Sequence, residues 1–157
     1  MKTFQDKNKK TWKIEITVGS ARRVKAETGI DLVNIVSVGK EGRASSEALE
    51  KLIDDPFALV DVLFSLCKPQ AKQENVGPEV FAELFDAPAI EAATNALVEE
   101  IIDFFPPAKK KAVEKIYRIA QELAKKNEEK LNEMLENPEL TKEIESRLNA
   151  LSTSAPE

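Results

Sequence analysis

The sequence predicts an α+β fold, mainly α, in which an N-terminal β-hairpin packs on a helical bundle and an extended C-terminal helix follows. Three observations carry this. Apolar residues recur with a period of two at Trp12, Ile14, Ile16 and Val18, against polar Lys13, Glu15 and Thr17. From Ser45 onward the apolar spacing changes to three and four, the period of a helix. Prolines at 56, 69, 78, 88, 106, 107 and 138 punctuate that helical region. With 157 residues, 42% of them hydrophobic, the chain can bury a core without disulfide or metal staples. At 6% aromatic, that core must be largely aliphatic and rich in alanine.

In chain order, residues 11–18 read as a half-buried strand, since the alternating residues are β-branched or aromatic. Asp6-Lys7-Asn8-Lys9-Lys10 is a polar turn, and Lys2–Gln5 is the expected partner strand. Ser20 reads as the N-cap of a short helix carrying Ala21 and Val24, with Gly29 as its left-handed stop. The run Ile30, Leu32, Val33, Ile35, Val36, Val38 is either a strand or a buried connection. Gly39-Lys40-Glu41-Gly42 is a loop.

Ser45 or Ser46 caps a helix with Leu49, Leu52 and Ile53 on its apolar side. Asp55-Pro56 restarts the chain as N-cap and first helical residue. The helix over 56–67 is apolar nearly all round, which predicts the central buried helix, and Lys68-Pro69 is its expected end. Gly77-Pro78 opens a helix bearing Val80, Phe81, Leu84 and Phe85, and Ala87-Pro88 breaks it. Ile90, Ala93, Thr94, Leu97, Val98, Ile101, Ile102 and Phe105 form the cleanest amphipathic face, stopped by Pro106-Pro107. A long charged helix follows with Val113, Ile116, Tyr117, Ala120, Leu123, Ala124, Leu131, Met134 and Leu135. Beyond Asn137-Pro138, Leu140, Ile144, Leu148 and Leu151 make a narrow stripe. Such a stripe on a terminal helix suits a partner chain. The expected organisation is a globular domain over 1–106, a charged helical extension over 107–151, and a disordered tail over 152–157.

Charge is segregated. Residues 1–43 carry ten Lys/Arg against five Asp/Glu, and residues 44–105 carry three against thirteen; 106–157 is balanced at ten against ten. Such an arrangement steers partners or drives head-to-tail self-association, and a homo-oligomer is expected. Cys67 is the only cysteine, so an internal disulfide is impossible, and its apolar setting predicts a small buried hydrophobe. The first residues lack an apolar signal core, and the longest apolar stretch, 57–67, is far short of a membrane span. A cytoplasmic protein with no membrane role is therefore expected.

Catalytic equipment is sparse. The chain has no histidine, which removes the commonest general base and metal ligand and every Ser-His or Cys-His nucleophile. Five scattered glycines form no phosphate loop. Asp54-Asp55 is explained as a helix start. Glu99 and Asp103, one turn apart, could hold a divalent ion, against the simpler reading of a solvated acidic face. No catalytic residue, metal or cofactor is expected, and the chain is not expected to be an enzyme. A basic patch of Lys9, Lys10, Lys13, Arg22, Arg23 and Lys25, with Trp12 available to stack on a base, could serve nucleic acid. A pI near 5.1 and the acidic middle argue against it. Phe81, Phe85, Phe104 and Phe105 lie near helix ends beside prolines, placed either for the core or for an exposed partner-binding face.

Thr11-Trp12-Lys13-Ile14-Glu15-Ile16-Thr17-Val18, followed by Arg22-Arg23-Val24-Lys25-Ala26-Glu27-Thr28-Gly29-Ile30-Asp31-Leu32, resembles small proteins encoded in the structural regions of tailed phages. Residues 55–71 and 89–106 are similar to the same group, the tail assembly chaperones of long-tailed bacteriophages. The resemblance covers most of 3–106 and leaves 107–157 unmatched. It implies a small non-catalytic protein that coats the long, apolar, helical tape measure protein in the host cytoplasm until tail tube subunits polymerise. It further implies that a frameshifted longer form can recruit the tube protein. Client contact is then expected at Phe81, Phe85, Leu97, Ile101, Phe104, Phe105, Leu140, Ile144 and Leu148. The alternatives are a tail or connector component retained in the virion, and a nucleic-acid-binding regulator using the basic hairpin.

Overall fold

A computed structural model describes residues 1–38, 41 and 44–153. Strand β1 (Lys2–Gln5) pairs antiparallel with β2 (Thr11–Ile14), with Phe4 opposite Trp12. Asp6 organises the turn between them. Its Oδ1 accepts from the backbone N–H of Asn8 (2.8 Å) and Lys10 (3.1 Å), and its Oδ2 accepts from the Trp12 indole N–H (2.9 Å). Lys9 closes the turn in a left-handed conformation, φ 65°. Trp12, Ile14 and Ile16 are buried as the alternation predicts, although strand pairing stops at Ile14.

Helix α1 (Val18–Thr28) starts earlier than Ser20. Thr17 is the N-cap, and Ser20 at the third helical position completes a reciprocal capping box. A serine three residues after a threonine satisfies the same motif from the other side, which is why Ser20 resembled a cap. Val18 therefore leaves the strand pattern and stands exposed. Gly29 is the left-handed stop, φ 77°. The apolar run that follows is mainly a buried connection, with Ile30, Leu32, Ile35 and Val36 in the core. Only β3 (Ser37–Val38) pairs, with β4 (Ala44–Ser45). Of the Gly39–Gly42 loop, only Glu41 lies within the described residues.

Helix α2 (Glu47–Asp54) buries Leu49 and Leu52. Helix α3 (Pro56–Gln73) is capped by Asp55, whose carboxylate accepts from the N–H of Phe57 and Ala58. It is the central helix, packed by α1, α2 and β2, and it does not end at Pro69. Proline at 69 has no N–H for the carbonyl of Ser65, four residues back. Arg23 supplies the missing donor, its Nε lying 3.0 Å from that oxygen. Gln70, one residue on, reaches the unpaired edge of β2, accepting from Lys13 N–H and donating to the Thr11 carbonyl, both at 3.0 Å.

Helix α4 (Pro78–Ala82) is short, and α5 (Ala87–Phe104) begins under an Asp86 cap with Pro88 in its first turn. The expected face of α5 is buried at Ala93, Leu97, Val98 and Ile101, largely against β1. Pro106-Pro107 separates α5 from α6 (Pro107–Glu136), and Asn137 caps α7 (Pro138–Thr153). Ser152 and Thr153 thus belong to a helix, not to a tail; residues 154–157 lie outside the described residues. The fold is α+β, mainly α, with seven helices among the described residues.

The chain divides into two compact units, Met1–Ile116 and Tyr117–Glu157. The division falls inside α6, since Val113 is still fully buried in the first unit. Among residues 117–153 none is buried.

Candidate partner-binding surface

The aromatic residues of α4 and the segment after it build a core cluster. Phe81 is fully buried, edge-on to Trp12 (4.9 Å between centroids) and 5.2–5.3 Å from Phe85 and Phe64; Phe85 also meets Phe4 at 5.8 Å. Edge-to-face pairs at these separations add to the burial of the rings. Leu97, Ile101 and Phe105 are likewise buried, Phe105 under the ammonium of Lys109 at 4.7 Å. Phe85 and Phe104 are half-buried. Phe81, Leu97, Ile101 and Phe105 are therefore core residues that no partner reaches while the first unit is folded. Periodicity identifies an apolar face; here β1, β2 and α3 cover that face.

Of the remaining expected contact residues, Leu140 is half-buried, whereas Ile144 and Leu148 are exposed. They have company. Of the thirteen large apolar side chains exposed among the described residues, eight lie in 117–153: Ile119, Leu123, Leu131, Met134, Leu135, Ile144, Leu148 and Leu151. Leu123, Leu131, Met134 and Leu135 belong to the stripe that the sequence places on α6, and they stand uncovered in a segment without a buried residue. Singly exposed leucines are ordinary; a helical series of them is the form of a partner-binding face.

Half of the basic patch is engaged within the chain. Lys10 pairs with Glu74 and lies 4.8 Å over the Trp12 ring, Arg23 serves Ser65, and Lys25 pairs with Asp31 at 2.8 Å. Lys9, Lys13 and Arg22 remain exposed. Trp12 is fully buried with its indole N–H on Asp6, so it offers no face to a base. Asp31 accepts from Lys25, from the Asn34 side chain and from the N–H of Val33 and Asn34, and the Lys25 ammonium foremost holds its carboxyl down to about 2.

The acidic side of α5 is also neutralised locally. Lys2 pairs with Glu99 (3.6 Å) and Asp103 (3.2 Å), and Lys110 reaches Asp103 at 3.3 Å. These cations hold the Asp103 carboxyl below its ordinary value, and Asp103 in turn raises Lys2. Glu100 is buried; its Oε1 accepts from Ile16 N–H at 3.0 Å, and the Met1 amine stands 3.0 Å from Oε2, an ion pair without hydrogen-bond alignment. Among the described residues no cluster of three or more Cys, Asp or Glu side chains is arranged to hold a metal ion. Cys67 is buried with its thiol on the Lys13 carbonyl, and burial pushes it up to about 12.

Among the described residues no helix is long and apolar enough to cross a membrane. No family model, curated protein or solved structure matches this chain.

Four exposed apolar residues of the first unit stand where the sequence pattern predicts burial: Val18, Val33, Phe57 and Val80.

Proposed function

We propose that this chain is a non-catalytic tail assembly chaperone of a long-tailed phage, which binds the tape measure protein and keeps it soluble until the tail tube polymerises. The observation that carries the reading is the uncovered apolar series on α6 and α7. A tape measure protein is a long helix with an apolar stripe, and one amphipathic helix covers another by burying stripe against stripe. The client-contact residues are then Leu123, Leu131, Met134, Leu135, Ile144 and Leu148, while the aromatic cluster of Phe4, Trp12, Phe64, Phe81 and Phe85 builds the scaffold. Charged residues flanking the series, such as the Glu143–Arg147 pair at 2.7 Å, keep the free protein hydrated. The tail tube protein is a second partner under this reading, and several copies act on one client.

The test is co-expression with the candidate tape measure protein, measuring how much of it is soluble and co-purifies. The reading expects a soluble complex of many copies per client that dissolves as tube subunits are added. An insoluble client, with nothing co-purifying, would discard it. Retention in purified virions would favour the structural tail component instead.

A further inference from the structure

Two exposed features of the first unit complement one another, and neither belongs to the client-binding series. The first is Phe57, 85% exposed, the highest exposure of any large apolar side chain described. It stands in the first turn of α3 with exposed Asp54 before it and exposed Asp61 one turn after it. Neither carboxylate has a partner among the described residues. The feature is an aromatic knob set among uncompensated negative charge.

The second is a groove of about 230 Å³ between α1 and the 31–34 segment. Val18 and Val33, 67% and 38% exposed, form apolar walls over Ala21, and Arg22 and Lys25 line it. Asp31, also in the groove, is neutralised by Lys25 at 2.8 Å, while Arg22 has no partner among the described residues. The groove is therefore apolar inside and net positive at its rim. Its volume admits one aromatic ring, since an apolar cavity of about 150 Å³ already accepts benzene.

Phe57 does not fill the groove of its own chain, being almost wholly exposed. We infer that Phe57 of one copy inserts between Val18 and Val33 of the next, with the acidic surround of Asp54 and Asp61 facing the unpartnered Arg22. The knob and the socket are different surfaces, so the contact is heterologous and repeats head to tail, giving a ring or an open row. The charge balance of +5 over residues 1–43 and −10 over 44–105 steers the copies into that orientation. The inference uses no residue of 117–153 and stands whether or not the client is a tape measure protein.

The experiment is sedimentation of the 157-residue chain from micromolar to millimolar concentration, at low and high salt, with F57S and V18D. The wild type is expected to grow in mass with concentration and to shrink toward monomer in high salt. Each variant alone is expected to remain monomeric with an unchanged thermal melt. An equimolar mixture of the two leaves one intact knob and one intact socket, so it should form a heterodimer and nothing larger. A wild type that is monomeric throughout, variants that associate like wild type, or a mixture that stays monomeric would each overturn the inference. If F57S or V18D melts early, D61K and R22E, both at exposed positions, replace them. Each alone should remain monomeric. Because the two reversals are again complementary, their equimolar mixture should regain the concentration-dependent mass of wild type, a mixture that stays monomeric overturning the inference.

Discussion

The Nε of Arg23 donates to the carbonyl of Ser65 at 3.0 Å, the oxygen that Pro69 cannot serve from within its own helix. A side chain on α1 thus stands in for a backbone N–H of α3 and lets the central helix run through a proline to Gln73. Arg23→Ala strips that acceptor and should cost about 1–3 kcal/mol. In a Pro69→Ala background, which restores the N–H, the same change should cost clearly less. Urea midpoints of the four proteins measure the coupling; equal costs in both backgrounds would refute it.

Asp6 holds the hairpin turn from inside. Its carboxylate accepts from two backbone N–H groups and from the buried indole of Trp12. Asp6→Ala leaves the indole donor unpaired in the core and should destabilise by about 2–3 kcal/mol. Denaturant unfolding followed by the single tryptophan tests this directly, since Trp12 reports on the affected site.

The buried Cys67 thiol, pushed up to about 12, holds almost no thiolate at neutral pH. It should be inert to a maleimide or disulfide reagent in the folded protein and react fully in denaturant. Rapid labelling under native conditions would contradict the packing of α3 against β2.

Asp31, held down to about 2 by Lys25 from an ordinary value of 3.8, makes stability pH-dependent. A depressed carboxyl contributes fully above its unfolded value and loses that contribution as pH falls toward its folded one. Asp31 is partly solvated, so screening limits the contribution to about 0.5–1 kcal/mol. Lys25→Ala should therefore be weaker than wild type at pH 7, with the difference closing as pH falls from about 4 to about 2. Melting curves across that interval, at low salt, provide the comparison.

Leu131→Ser and Leu148→Ser change exposed residues, so each should leave unfolding free energy within about 0.5 kcal/mol of wild type. Under the proposed function both should reduce the amount of client that co-purifies. Unaltered recovery of the client with both changed together would move the contact elsewhere.

Much of this architecture can be read from local chemistry. The alternation at Trp12, Ile14 and Ile16, the Gly29 stop, the Asp55-Pro56 start and the face of α5 all act through neighbours within a few residues. What misled depends on distant ones. Pro69 reads as a helix end because Arg23, which serves the orphaned Ser65 carbonyl, lies 42 positions before that serine. Phe81, Leu97, Ile101 and Phe105 read as a partner surface because a stripe carries no record of what covers it; here β1, β2 and α3 do. Conversely, the exposed series of α6 and α7 was legible in position, and its lack of cover became visible only with the rest of the chain in place.

Helix α6 passes from one regime to another along its thirty residues. Up to Val113 it is anchored by burial; beyond Tyr117 nothing it carries is buried, and its winding depends on local hydrogen bonds and neighbouring charges alone. Most of a helix's stability in a protein comes from packing its apolar face, which this segment lacks. Amide exchange should therefore be slow near Val113 and fast past Tyr117, with the boundary inside a single continuous helix. A grip formed by such a segment includes the cost of ordering it, so the hold on a partner is weaker than its apolar area suggests. Under the proposed function, a half-anchored helix is also a means of release, since a hold that includes this ordering cost gives way to a better-fitting competitor.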